Sequence, residues 1–172
     1  MPKRRMKAVD ALELAIERER GANKFYRKAS EVTKDKYGKN MFTWLAKEEL
    51  RHLAKLRQQL KSVLDTNKFL EWKRKTAPIN KEELPSISEA TGKITADAAE
   101  LDALRQAIQS EKDAVVFYKE AEDSTPDLNG KNMFRALAKE EEGHLELLEE
   151  ELKWLTQSRK YFTLHRFELR AD

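Results

Sequence analysis

The amino-acid sequence predicts an all-α protein, a four-helix bundle built from two repeated helical hairpins. Charged residues make up 38% of the 172 residues, whereas Gly and Pro number only 5 and 4, a composition typical of helical proteins. Apolar residues recur with alternating steps of three and four, which is the seam of a left-handed bundle. The chain also aligns with itself without gaps, 10–61 on 102–153, with about half of these positions identical.

The helices are placed by the apolar period and by their start signals. The seam of the first helix holds Leu12, Ala15, Tyr26 and Ala29, and its copy returns with the same spacing. We predict helices at about 9–33, 36–63, 98–123 and 128–156. Asp35 and Asp127 are expected to be the N-caps of the second and fourth helices.

One domain is expected over residues 1–172, since a chain of this length can bury one core. Its predicted parts are repeat one at about 10–61, a connection at about 64–97, repeat two at about 102–153 and a tail at 158–172. The connection is long enough to cross the length of a bundle, with a short helix expected near Asn67–Lys75. The tail has no helical period, so we expect it to be extended.

Composition excludes several classes of protein. No apolar run is long enough to span a membrane, and the basic first residues are not followed by the apolar core of a secretory signal, so a cytoplasmic location is expected. Basic and acidic residues, 34 and 31, are interleaved along the chain, which does not predict nucleic-acid binding. The absence of cysteine excludes disulfides and cysteine-ligated zinc or iron centres.

Six seam positions are polar where apolar residues are expected. A buried carboxylate is costly unless it is compensated, and four of them would also repel one another. Either protons or two divalent cations would neutralise this charge. The six residues are Glu19, Glu49, His52, Glu111, Glu141 and His144.

The spacing of the six favours two cations. Glu49 with His52, and Glu141 with His144, are pairs three residues apart and therefore share one face of a helix. Glu19 and Glu111 each come from the other helix of the same hairpin. One glutamate from each of two helices and Glu-x-x-His from each of the other two form the ligand set of di-iron carboxylate bundles. Iron fits these ligands, and manganese or zinc could substitute.

Other polar and aromatic residues admit plainer readings. Tyr26 and Tyr118 face the seam, either as core residues with satisfied hydroxyls or as hydrogen-bond donors to ligand carboxylates. A bundle with an empty site, acting as a metal-free interaction module, is the structural alternative. Three acids beside the seam are expected to be solvated, Glu17, Glu48 and Glu140, although Glu48 and Glu140 could matter for metal entry. Three tryptophans are expected to serve packing, Trp44, Trp72 and Trp154. His165 lies in the tail and is expected to be incidental.

These motifs resemble the rubrerythrin branch of the ferritin-like family. The resemblance rests on Glu19, Phe25-Tyr26, and Leu45-Ala46-Lys47-Glu48-Glu49 with His52, and on their second copies. It implies a ferritin-like bundle in which Glu49 and Glu141 bridge two irons. By the same resemblance Glu19 and Glu111 would be terminal ligands, and each histidine would bind one metal.

The resemblance also implies an activity and partners. Members are non-haem di-iron proteins, often dimers, that reduce peroxide or oxidise ferrous iron. We therefore expect an oxidoreductase that reduces hydrogen peroxide or dioxygen in oxidative-stress defence. We also expect a homodimer, in which the long connection would permit helix swapping. Two departures from the family weigh against peroxidase turnover. The sequence shows no rubredoxin-like domain with cysteine-ligated iron, so an external donor such as a rubredoxin-like protein would be needed. The further glutamate that rubrerythrins carry three residues after the third-helix ligand is replaced by Ala114, whose counterpart in the first repeat is Ala22. The alternative is an iron-binding ferroxidase that handles iron without peroxidase turnover.

Overall fold

The computed structural model describes residues 7–72 and 98–168, with side chains up to Gln157 in the last helix. Four helices follow in order: α1 Ala8–Val32, α2 Lys36–Thr66, α3 Ala98–Ser124 and α4 Leu128–Glu168. The predicted all-α bundle is confirmed, and within the described ranges no helix is long and apolar enough to cross a membrane.

Both predicted N-caps are confirmed. The Asp35 carboxylate accepts a hydrogen bond from the backbone N–H of Gly38 at 2.8 Å, and Asp127 accepts one from Gly130 at 2.9 Å. Each cap satisfies one of the backbone donors that the first turn of a helix leaves free, a contribution of about 1 kcal/mol. The two hairpins therefore turn in the same way at the same place in each repeat.

Two predicted segments differ from the structure. The tail was expected to be extended, but α4 continues to Glu168, because adding residues to an existing helix needs no new nucleus and no buried stripe. The short helix expected near Asn67–Lys75 is absent from its described part, residues 67–72. Helix α2 instead ends where Asn67 adopts a left-handed backbone conformation, φ 54°. The rest of the predicted connection and residues 169–172 lie outside the described residues.

The segment after α2 folds back along the bundle. The side-chain amide of Gln59 donates to the backbone oxygen of Leu70 at 3.1 Å and accepts from its N–H at 2.9 Å. Phe69 is thereby held edge-on to Phe134, with ring centroids 6.2 Å apart. This amide clamp explains why a buried glutamine sits among the apolar residues of α2.

Two apolar clusters fill the bundle, one toward each end. One cluster joins the C-terminal half of α1 and the N-terminal half of α2 to the start of α3 and the later part of α4. The other joins the complementary parts of the same helices. Helices α1 and α3 are therefore antiparallel, and the end of α2 and the start of α3 lie at opposite ends of the bundle, as a one-crossover bundle requires.

Candidate metal centre

A polar layer separates the two apolar clusters at the middle of the bundle. It consists of the six polar seam residues, each 3% exposed or less: Glu19, Glu49, His52, Glu111, Glu141 and His144. Since all four helices contribute, the layer forms only when the two hairpins pack together. The structure thus brings together every residue that the sequence proposed as a ligand.

The layer divides into two overlapping groups of four residues. Glu19 and His52 belong to one group, and Glu111 and His144 to the other, while Glu49 and Glu141 belong to both; within each group the potential ligand atoms lie within 4.8 Å of one another. Two sites that share two carboxylates are the arrangement that bridged metal pairs need. The role of each residue as a ligand remains a prediction.

Both imidazole rings turn Nδ1 toward the shared carboxylates. Nδ1 of His52 lies 3.3 Å from Glu49 and 3.2 Å from Glu141, and Nδ1 of His144 lies 3.4 Å and 2.7 Å from the same two residues. The rings stack with centroids 5.7 Å apart. Both histidines therefore face the centre of the layer with equivalent atoms.

The layer fits a metal pair because its inner atoms lie close together without making well-directed hydrogen bonds. Both oxygens of Glu49 and of Glu141, and Nδ1 of each histidine, are buried and form no hydrogen bond among the described residues, although Nδ1 and the carboxylates lie 2.7 to 3.4 Å apart. An unsatisfied buried polar atom costs on the order of 1–3 kcal/mol, and more when it is charged. Two divalent cations would engage these six atoms and neutralise four carboxylates, and oxygen and imidazole donors suit iron, manganese or zinc.

Without cations, the electrostatics of the layer favour protons that offset its negative charge. Burial, reinforced by the charge of Glu141, raises the pKa of Glu19 and of Glu111 well above the usual value. Burial lowers the pKa of each imidazole, but the carboxylates raise it by more, Glu141 most of all. The pKa values of Glu49 and Glu141 are lowered, since their protonated neighbours outweigh burial. These directions favour protons on Glu19, Glu111 and the two imidazoles, which would offset the charge of Glu49 and Glu141.

Two tyrosines hold the outer glutamates across the hairpin boundary. The hydroxyl of Tyr26 donates to Glu111, and the hydroxyl of Tyr118 donates to Glu19. Both hydroxyls belong to buried rings that stack on a phenylalanine of the following helix, Phe42 or Phe134. Of the two readings of these tyrosines, the structure supports the hydrogen bond to a carboxylate of the layer.

The position of Glu140 differs from the expectation of the sequence analysis that its side chain would be solvated. Its side chain is only 15% exposed, and Oε2 lies 2.8 Å from Nε2 of His52 and 3.1 Å from the Arg51 guanidinium. Burial alone would raise the pKa of Glu140. The hydrogen bond and charge of His52, with the charges of Arg51 and Lys55, outweigh burial and lower the pKa to about 2. The apolar period of α4 does not mark Glu140 as unusual, because this residue lies beside the seam. It reaches His52 only where α2 and α4 pack together.

A groove between α1 and α3 opens onto the layer. Its volume is about 480 Å³, and its lining includes all four carboxylates of the layer and neither histidine. Small residues flank it, and polar ones surround its mouth. The remaining lining residues are Glu17, Arg18, Gly21, Ala22, Gln106, Gln109, Ser110, Asp113 and Ala114.

The three tryptophans agree with the packing role expected of them. Trp44 and Trp154 pack against one apolar cluster and Trp72 against the other. Trp44 also meets the ring of His144 edge-on at 5.6 Å, a contact that the sequence did not indicate. The side chain of His165 lies outside the described residues.

Comparison with known proteins agrees with this geometry. A family model described as Rubrerythrin matches residues 10–152, with a second match over 102–168. Among solved structures, a hypothetical protein from Pyrococcus furiosus is 29% identical, with a TM-score of 0.66, and the alignment covers 88% of this chain and 92% of that one. A search of curated proteins found no match. The family match spans both hairpins and all six residues of the polar layer.

Proposed function

Because the chain belongs to the rubrerythrin family, we propose that it is a non-haem di-iron oxidoreductase that reduces hydrogen peroxide or dioxygen in oxidative-stress defence. The observation that carries this proposal is the pair of overlapping ligand groups with two shared carboxylates. A single structural cation would not use two such groups, and an apolar bundle would contain neither.

The ligand roles follow from this arrangement. Glu49 and Glu141 would bind both irons, Glu19 with His52 would complete one site, and Glu111 with His144 would complete the other. When bound as Fe(II), the pair would supply the two electrons that, with two protons, convert hydrogen peroxide to two molecules of water.

The protein's own groups would orient the ligands and hold protons. The hydroxyls of Tyr26 and Tyr118 fix the outer carboxylates of Glu111 and Glu19 from the opposite hairpin, so the distance between hairpins sets the position of the ligands. Each hydroxyl also keeps a proton at the carboxylate that it binds. The apolar clusters cover the layer toward both ends of the bundle, so water and small molecules would reach it through the groove between α1 and α3.

The groove between α1 and α3 favours a small oxidant as the substrate. It reaches the layer from the carboxylate side, opposite the histidines, and Ala22 and Ala114 line it where longer side chains would narrow it. Peroxide and dioxygen are small enough to pass between α1 and α3 without separating the hairpins. A polar mouth with Gln109 and Ser110 suits a hydrogen-bonding oxidant.

Reducing equivalents would come from outside these 172 residues. The sequence contains no cysteine, so it cannot form a cysteine-ligated iron centre. We propose an external donor such as a rubredoxin-like protein, and a cytoplasmic homodimer as the working form.

Steady-state peroxide consumption tests the activity. The iron-loaded protein is mixed anaerobically with a reduced rubredoxin-like donor and hydrogen peroxide, and donor oxidation is followed. We expect repeated turnovers that vanish in the paired variant Glu49→Gln with Glu141→Gln and persist in the exposed control Glu146→Gln. A parent protein that oxidises only once per bound iron pair would contradict peroxidase turnover.

That outcome would favour the second candidate, a ferroxidase that handles iron. The mouth of the groove carries Glu17 and Asp113, which suits an incoming cation as well as a neutral oxidant. The ferroxidase would instead consume added Fe(II) in proportion to dioxygen, with no dependence on the donor.

A further inference from the structure

The two halves of the polar layer differ in what holds their histidines. Nε2 of His52 lies 2.8 Å from Glu140, whose same oxygen also binds Arg51. In the other repeat the residue equivalent to Glu140 is Glu48, and Glu48 engages Arg51 rather than His144. Among the described residues, no carboxylate lies within ion-pair distance of Nε2 of His144.

Sequence differences between the repeats explain this asymmetry. Arg51 has Gly143 as its counterpart, and Trp44 has Ala136. Arg51 binds both Glu48 and Glu140, whereas Gly143 offers no such cation in the second repeat. Trp44 places an aromatic edge 5.6 Å from His144. The two repeats therefore give the two histidines unequal surroundings.

We propose that Glu140, braced by Arg51, is a positioning residue that orients His52 for metal binding and makes the His52 position the first of the two to fill. The proposal rests on the proposed two-metal site. When the ring is neutral, a hydrogen bond from Nε2–H to the Glu140 carboxylate leaves the metal-binding lone pair on Nδ1, and Nδ1 is the atom that faces Glu49 and Glu141. A carboxylate on the far nitrogen also makes the imidazole a stronger ligand.

Zinc is a suitable test metal because it is diamagnetic and accepts the same ligands. The full chain, labelled with ¹⁵N in histidine, is titrated with zinc, and the two imidazoles are followed by NMR alongside calorimetry. In the parent we expect the first equivalent to shift Nδ1 of His52, with its Nε2–H proton protected from exchange, and the second to shift His144.

The variant Glu140→Ala is expected to weaken zinc binding at the His52 position by about 10–100-fold, to expose the Nε2–H proton and to leave the His144 position unchanged. Glu140→Gln keeps the side-chain volume and an acceptor oxygen but loses the charge, so it should weaken that position by less. Glu48→Ala, the repeat-equivalent control, should leave the preference for His52 in place.

The outcomes separate this inference from the site on which it rests. Two bound zinc ions with equal filling in the parent, or an unchanged preference in Glu140→Ala, would overturn the role of Glu140 while leaving the metal site intact. Equal weakening of both positions would overturn it as well, since that is what a loss of fold would give. A parent that binds no zinc would overturn both this inference and the proposed function.

Discussion

Replacing Glu151 by glutamine should stabilise the protein, and increasingly so as pH rises. Glu151 is a glutamate of α4 outside the polar layer, 1% exposed, and neither carboxylate oxygen has a hydrogen-bond partner among the described residues. Burial, together with the charges of Asp35 and Glu100, raises its pKa from 4.5 to about 8. The equivalent residue of repeat one is already a glutamine, Gln59.

The magnitude follows from the pKa difference between the folded and unfolded states. A carboxyl whose folded-state pKa is raised contributes stability that is fully present below the unfolded-state pKa of 4.5 and is lost as pH rises to about 8. At 1.36 kcal/mol per unit, the loss reaches roughly 3 kcal/mol by pH 7 and levels off near 5 kcal/mol above pH 8. Glutamine cannot ionise and avoids this loss.

Urea unfolding of both proteins at pH 5 and pH 8, with chelator in every sample, measures the effect. The other carboxyls titrate equally in both proteins, so only the change in the difference matters. The free-energy advantage of Glu151→Gln should grow by about 3.5 kcal/mol between the two pH values. A difference that is the same at both would refute the claim that Glu151 is neutral in the folded protein.

Three further predictions concern protons, packing and fluorescence. Binding two divalent metals should release protons, because the pKa values of Glu19, Glu111 and both imidazoles are raised in the metal-free layer and metal ligands must be deprotonated; affinity should therefore rise with pH, and calorimetry in buffers of different ionisation enthalpy measures the release. Gly130→Ala should destabilise by about 1–3 kcal/mol, since its Cβ would lie 2.6 Å from Thr125, whereas the matched Gly21→Ala, with nothing within 4 Å, should stabilise by about 0.5–1 kcal/mol in urea; equal effects would contradict the packing argument. Iron should quench the fluorescence of Trp44, 5.6 Å from His144, and Trp44→Phe should remove most of the quenching; an undiminished loss of signal would assign it to another tryptophan.

The apolar period of the sequence predicted those features of the structure that depend on a single face of one helix. The polar layer was predictable because Glu19 or His52 at a seam position conflicts with the apolar pattern, and such conflicts mark functional sites. The N-caps Asp35 and Asp127 were predictable because capping depends on a few neighbouring residues.

Side-chain pairs between helices other than the six-residue layer could not be predicted from the sequence. Glu140 looks like any surface glutamate until α2 and α4 pack and bring it to His52. Gln59 and Glu151 likewise gain their meaning from segments distant along the chain. The continuation of α4 beyond Gln157 was missed because apolar period indicates a buried stripe, and a helix can extend without one.

Metal content tests the central claim most directly. The protein is purified without chelators, refilled anaerobically with Fe(II), desalted and assayed for iron per chain, beside Glu49→Gln with Glu141→Gln and the exposed control Glu146→Gln. Two overlapping groups that share two carboxylates predict about two irons per chain in the parent and the control, and loss of both irons together in the paired variant. A parent without iron, or a paired variant that keeps it, would contradict a metal centre in the polar layer.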